Sequence, residues 1–126
     1  PMSQLASDLN GETPQMSWIT PGLCNDGHDC PIRTADNWLA QIVPLITGSI
    51  AWQQNGALFI TWDEGNGADD QVALLAIAPG LRGDISMRLD HYSLLATIED
   101  ALGVARLNLA KQATSLNNQL QTKTIG

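Results

Sequence analysis

ALFITWDEG at residues 57–65 and VALLAIA at residues 72–78 decide the fold that this sequence predicts. Both contain short apolar runs that do not alternate with polar residues, a pattern typical of strands covered on both faces in a parallel sheet. A third strand is expected over residues 16–20, which Pro21 closes. We therefore expect an α/β fold with at least three strands, in a layered, mostly parallel sheet with helices on both faces.

Helical patterns surround these runs. Apolar residues recur at helical spacing in residues 5–9 and 38–46, and Pro44 is expected to kink or divide the second of these helices. A further helix is expected after Asp90, a favourable N-cap, and Gly103 supplies its stop signal.

Length and composition fit one modest soluble domain. The chain has 126 residues, of which 44% are hydrophobic and 15% charged, and no apolar run is long enough to span a bilayer. Thirteen acidic residues against six basic ones give a formal charge of -7, which argues against a nucleic-acid surface. Residues 1–107 are expected to form the domain portion and residues 108–126 a polar tail, and the stretch from Val104 onwards is expected to lie loosely on the surface.

Chemically reactive side chains follow each predicted strand. Because open α/β sheets bind ligands beyond the carboxyl ends of their strands, we expect these three loops to share one rim of the molecule. Both histidines of the chain belong to this set. Its members are Asn25, Asp26, His28 and Asp29 in the first loop, Asp63, Glu64, Asp69 and Asp70 in the second, and Asp90 and His91 after the third.

Asp63 and Glu64 directly follow an apolar run, where two adjacent carboxylates are costly unless a cation neutralises them. A divalent metal ion of unspecified identity is one interpretation, and a solvated acidic turn is the other.

His91 lies at the expected amino end of a helix, where main-chain N–H groups and the helix dipole favour an anion such as a phosphoryl group. His28 could complement it from another loop, although each histidine could equally be a capping or surface residue. Tyr92 and Ser93 are nearby hydroxyls, but neither has an adjacent base at an identifiable spacing, so no nucleophile is assigned.

Cys24 and Cys30 bracket a short polar loop. Their spacing permits a disulfide, two free thiols, or a zinc site that His28 would have to join. The cysteines alone do not decide among these.

Four ordered segments together resemble a known family over roughly residues 1–107: the bacterial phosphoesterases that include acid phosphatases and phosphocholine-type phospholipases C. The segments are residues 17–21 with Leu23, Cys24, Asn25, Asp26, His28, Asp29 and Cys30; Ala35, Asp36, Trp38 and Leu39; residues 61–65; and residues 90–93 with 97–100.

The resemblance implies an alkaline-phosphatase-like fold and hydrolysis of phosphate esters through a metal-assisted covalent phospho-enzyme. It also implies that Asp63 and Glu64 are metal ligands and that His28 and His91 are catalytic contacts to the metal or to phosphate oxygens. By the same resemblance the two cysteines form the family's local disulfide, which favours a secreted or periplasmic location.

Members of that family carry the nucleophile and further metal ligands in an amino-terminal half. The resemblance therefore implies a carboxy-terminal portion that works with the missing half of the same domain or with a second chain. The alternative is a non-catalytic module, derived from this fold, that binds a metal or phosphate or associates with a partner.

Overall fold

The computed structural model describes residues 2–121 and divides into two compact units, one ending at Ala57 and the other beginning at Leu58. No helix within the described residues combines the length and apolar character needed to span a membrane. The first unit contains a 3-10 helix (Met2–Gln4), α1 (Leu5–Asp8), α2 (Ile32–Thr47) and α3 (Ile50–Gln53). The second contains β1 (Leu58–Thr61), β2 (Leu74–Ile77), α4 (His91–Leu102), a 3-10 helix (Asn108–Gln112) and α5 (Asn117–Gln121).

The longest helix of the first unit is α2. Pro44 lies inside this helix, which continues to Thr47, so of the two expected outcomes, a kink or a division, the division does not occur. Ser49 then begins α3 by accepting a hydrogen bond from the Trp52 main-chain N–H at 3.2 Å. The buried side chains of the first unit include Leu9, Ala35 and Ser49.

The relative direction of β1 and β2 differs from the parallel arrangement that was expected. The two strands fall within the predicted runs, but they pair antiparallel, with Leu58 opposite Ile77 and Thr61 opposite Leu74. Residues 62–73 between them contain no helix, and parallel neighbours normally require a helical crossover. The composition is α/β, but the layered parallel sheet is not what the described residues form.

The third strand expected at residues 16–20 is also absent from the described part of the chain. These residues lack a paired neighbouring strand, and Trp18 has 72% of its surface exposed. The two observed strands are only partly covered, since Leu75 is 52% exposed. An apolar run predicts that a segment is buried. A strand also needs a neighbouring strand as a hydrogen-bonding partner, which the run does not predict.

The ends of α4 agree with the prediction. The Asp90 carboxylate accepts a hydrogen bond from the Ser93 main-chain N–H at 2.9 Å, and Ser93 Oγ accepts one from Asp90 N–H at 3.2 Å. This reciprocal pair is a capping box. At the other end Gly103 adopts a left-handed conformation with φ of 67°. Both boundaries are therefore set by local sequence.

The segment after α4 packs against that helix instead of lying loosely. Ala110 and Leu116 are fully buried, and the Leu116 main-chain N–H donates to Thr97 Oγ1 at 2.8 Å. The loose attachment expected from Val104 onwards is thus not what residues 108–119 show. The part of that expectation concerning residues 122–126 lies outside the described residues.

An ion pair fixes the turn that leads into this segment. Arg106 donates to both carboxylate oxygens of Asp100, at 2.7 and 2.5 Å, and to the main-chain carbonyl of Ala113 at 3.0 Å. The hydrogen bonds from Arg106 lower the pKa of Asp100 to about 2. The carboxylate is therefore ionised at any pH near neutrality.

Candidate functional site

His91, the first residue of α4, is tied to the loop after β1. Its Nε2 lies 2.8 Å from the main-chain carbonyl oxygen of Asp63, 28 residues earlier in the chain. Because a carbonyl can only accept, the ring carries a proton on Nε2, and in the neutral ring Nδ1 is an acceptor. This bond brings together three predicted site residues: Asp63, its neighbour Glu64, and His91.

The loop at residues 63–70 is closed by its own polar contacts. Gly65 N–H donates to Asp70 Oδ1 at 2.7 Å, and Glu64 N–H donates to Asp63 Oδ1 at 3.1 Å. The side chains of Asp63 and Glu64 are exposed to solvent. The loop thus presents two adjacent carboxylates from a main chain held by internal hydrogen bonds.

Gly65 is required by the close approach of the chain to itself. A Cβ at this position would collide with the main-chain oxygen of Gln71 and lie 2.8 Å from its main-chain nitrogen and carbon. These are backbone atoms that cannot rotate away. Glycine therefore permits the conformation in which the loop closes behind Asp63 and Glu64.

Asp63 and Glu64 are the residues at which a divalent metal ion is expected. Carboxylate oxygens and an imidazole nitrogen are suitable donors for such an ion. Residues 2–121 contain no group of three or more His, Cys, Asp or Glu side chains arranged to hold one.

His28 belongs to the first unit, in a loop that the Cys24–Cys30 disulfide closes. The disulfide that the resemblance implied is thus present. The loop is also held by hydrogen bonds from Asp29 N–H to the Leu23 carbonyl at 2.8 Å and from His28 N–H to Asp26 Oδ1 at 2.8 Å.

The His28 ring interacts with a carboxylate. Its Nδ1 donates to Asp29 Oδ1 at 2.7 Å, and both side chains are mainly exposed, at 73% and 53%. In the neutral ring this contact places the proton on Nδ1 and makes Nε2 an acceptor, the opposite tautomer to that of His91. A carboxylate on one ring nitrogen is a common way to orient a histidine that acts through the other.

A cavity of about 1090 Å³ lies in the second unit. Its walls come from the end of β1, the loop between β1 and β2, β2 itself, the segment between β2 and α4, the first turn of α4 with His91, and Gln119. Arg82 and Arg88 also line it, and sequence reasoning missed both. The available signal was their position, because two of the six basic residues of an acidic chain lie between β2 and His91.

Comparison with known proteins decides the family. The family model for the phosphoesterase family matches residues 1–105, most of the chain. This chain belongs to the phosphoesterase family. The match includes all four predicted site residues, both cysteines and the two arginines of the cavity.

Three similar phosphoesterases are known by name. The chain is 28% identical over 107 residues to a phosphatidylinositol-3-phosphatase of Mycobacterium tuberculosis, covering 83% of this chain and 36% of that protein. It is 27% identical to a probable acid phosphatase of Kluyveromyces lactis, covering 71% and 23%. It is 24% identical to a phosphate-repressible acid phosphatase of Penicillium chrysogenum, covering 88% and 29%.

The chain aligns with only about a quarter to a third of the length of these phosphoesterases. No solved structure matches it significantly.

Proposed function

We propose that this chain is the carboxy-terminal portion of a hydrolase of phosphate esters. The observation that carries the proposal is the phosphoesterase match over residues 1–105. The phosphatase names of the three relatives support the reaction class. The hydrogen bond from His91 to the Asp63 carbonyl supports the location of the site, because it joins the imidazole to the main chain that carries Asp63 and Glu64.

In this proposal Asp63 and Glu64 contribute part of the ligand set of a divalent metal ion, and the remaining ligands come from outside the described residues. Two exposed carboxylates on a closed loop support this assignment. A bound divalent ion would polarise the phosphoryl group and stabilise the charge that develops on its oxygens.

His91 and His28 are proposed to contact the metal or the phosphoryl oxygens. For His91 the support is its position at the amino end of α4, where the helix dipole favours an anion. Its contact with Asp63 also fixes the orientation of its ring. For His28 the support is the hydrogen bond to Asp29 and the disulfide-closed loop around it.

The nucleophile is proposed to be a hydroxyl in an amino-terminal half, supplied by the same domain or by a second chain. Its oxygen would bond to phosphorus as the bond to the ester oxygen breaks and the alcohol leaves with a proton. Water would then release phosphate from the phospho-enzyme and restore the hydroxyl.

The disulfide supports an exported location. Disulfides persist in oxidising compartments and are rare in the reducing cytosol. We therefore propose that the protein acts outside the cell or in the periplasm, as the bond between Cys24 and Cys30 suggests.

The test uses the whole protein that carries this chain, assayed with 4-nitrophenyl phosphate and with bis(4-nitrophenyl) phosphate. We expect hydrolysis that a chelator abolishes and an added divalent metal restores. Asp63→Asn should lower kcat/KM by about 100-fold or more, since a neutral amide is a poor ligand for a divalent ion. Asp8→Asn, which changes an exposed carboxylate on α1, is the matched control and should be without effect.

The outcomes separate the candidate functions. A preference for the diester would assign the phospholipase C type, and a preference for the monoester the acid phosphatase type. Metal or phosphate binding without any hydrolysis would reject the enzyme in favour of the non-catalytic binding module. Hydrolysis that is indifferent to both chelator and Asp63→Asn would reject the proposed metal ligands.

A further inference from the structure

The cavity in the second unit is large for the reacting group alone. Its volume of about 1090 Å³ is slightly above the range, roughly 300–1,000 Å³, that is usual for sites binding whole organic molecules. His91 lines this cavity, so the proposed phosphoryl contact opens onto space for the organic part of the ester.

The cavity contains charged groups of both signs. Four aspartates line it, Asp69, Asp70, Asp84 and Asp90, and each carboxylate disfavours an anion close to it. Asp70 and Asp90 also accept main-chain hydrogen bonds, from Gly65 N–H and Ser93 N–H. The guanidinium groups of Arg82 and Arg88 are the groups in this lining that would attract a second anionic group.

Both arginines have guanidinium N–H donors that are available to a ligand. Arg82 uses one N–H to reach the main-chain carbonyl of Leu81 at 2.7 Å, which leaves the rest of its guanidinium for a ligand. Arg88 has no hydrogen-bond or ion-pair partner within residues 2–121. The guanidinium group matches a carboxylate or phosphate with two parallel hydrogen bonds, which a lysine cannot do.

Arg82 and Arg88 lie on the segment between β2 and α4. It contains no helix or strand between β2 and α4, and two of its glycines have positive φ, 81° at Gly80 and 93° at Gly83. Arg82 lies between these two glycines, and Arg88 lies three residues before His91. The cavity thus combines guanidinium groups, an imidazole, and apolar wall from Leu81, Ile85 and Leu94.

We propose that Arg82 and Arg88 bind a second anionic group, carried on the organic part of the phosphate ester, and so select substrates that have one. This inference rests on the proposed hydrolysis of phosphate esters. The substrate class is then an organic phosphate with a further carboxylate or phosphate, its reacting phosphoryl group near His91.

The test compares phenyl phosphate with 4-carboxyphenyl phosphate, which differ by a single carboxylate far from the reacting phosphorus. We expect the whole protein to prefer the carboxylated ester, and Arg88→Gln to lower the ratio of the two kcat/KM values by about tenfold. Arg82→Gln should lower it in the same direction. Arg33→Gln, which removes an exposed arginine on α2, is the matched control and should leave the ratio unchanged.

The results distinguish this inference from the function on which it rests. If neither ester is hydrolysed, the proposed function fails and the inference falls with it. If both are hydrolysed but neither Arg88→Gln nor Arg82→Gln changes the ratio, the function stands and the inference is wrong. An equal fall in Arg33→Gln would also overturn it, because the preference would then reflect net charge and not a site.

Discussion

Gly65 lies where the loop after β1 turns back against the main chain of Gln71. Its N–H is the donor that reaches Asp70, and its lack of a side chain permits the approach. The two neighbouring carboxylates therefore depend on a residue that has no functional group of its own.

Gly65→Ala should open this loop. Relief of the clash with Gln71 requires a main-chain shift that breaks the bond to Asp70, so we expect a loss of about 1–3 kcal/mol in the free energy of unfolding. Under the proposed function, displacement of Asp63 and Glu64 should also lower the rate of phosphate-ester hydrolysis by the whole protein. Urea unfolding and kcat/KM measure the two effects.

Gly67 provides the control for this substitution, since it lies in the same loop and a Cβ there would meet nothing within 4 Å. Gly67→Ala should leave both quantities nearly unchanged. Equal behaviour of the two variants would show that the close approach at Gly65 does not shape the site.

At the residue scale, sequence reasoning named the interacting residues but not the interacting atoms. It expected the loops that carry Asp63, Glu64 and His91 to share one rim of the molecule, without a specified contact between them. In the structure the acceptor for His91 is the main-chain carbonyl of Asp63, and both carboxylates are exposed. Main-chain groups are the same at every position, so composition and spacing carry no signal for such a bond.

At the scale of elements, α4 is the helix that positions His91, and its start depends on Asp90. The Asp90 carboxylate satisfies a main-chain N–H of the first turn that otherwise has no intrahelical partner. The same contact determines where the helix begins and hence where the imidazole lies.

Asp90→Ala should therefore destabilise the fold by about 1 kcal/mol through loss of the N-cap. Asp90→Asn retains a capping oxygen without the charge and should cost much less. Thermal unfolding of the two variants checks this expectation. Destabilisation of the same size in both would assign the effect of Asp90 to its charge and not to the capping hydrogen bond.

The helix ends and the sheet differ in how far they could be predicted. Asp90 and Gly103 act on main-chain groups within a few residues, so a local pattern is sufficient. The direction of β1 against β2 depends on the connection between them, and strand formation at residues 16–20 would need a partner strand. An apolar run predicts neither the direction of a strand nor the presence of a partner strand.

At the scale of the whole molecule, the family could be recognised from four ordered motifs, whereas the packing after residue 107 could not. Residues 108–119 are mainly polar, and their attachment depends on two separate apolar residues, Ala110 and Leu116. Two such residues make no periodic pattern. The Arg106–Asp100 pair that fixes the entry to this segment spans six residues across a turn, where helical spacing rules do not apply.

The exposed apolar surface of this chain bears on whether another part of the protein packs against it. Several large apolar side chains are more than half exposed. Apolar surface left in contact with water is unfavourable, so we expect such side chains to be covered in a complete domain. They are Trp18, Leu23, Ile32, Leu75, Val104, Leu107 and Leu109. The chain also spans only about a quarter to a third of the relatives that it matches. Under the proposed function, an amino-terminal half covers much of this surface.

The isolated chain should consequently bind the apolar dye ANS several-fold more strongly, per mole, than the whole protein does, because covered side chains no longer offer a binding surface. A double variant, Leu107→Gln with Leu109→Gln, tests one patch directly: it should lower dye fluorescence of the isolated chain. If the patch is covered in the whole protein, the same variant should destabilise that protein, since the new amides would be buried without partners. Equal dye binding by the two forms would mean that this surface stays in water, and would contradict a complementing half that packs against it.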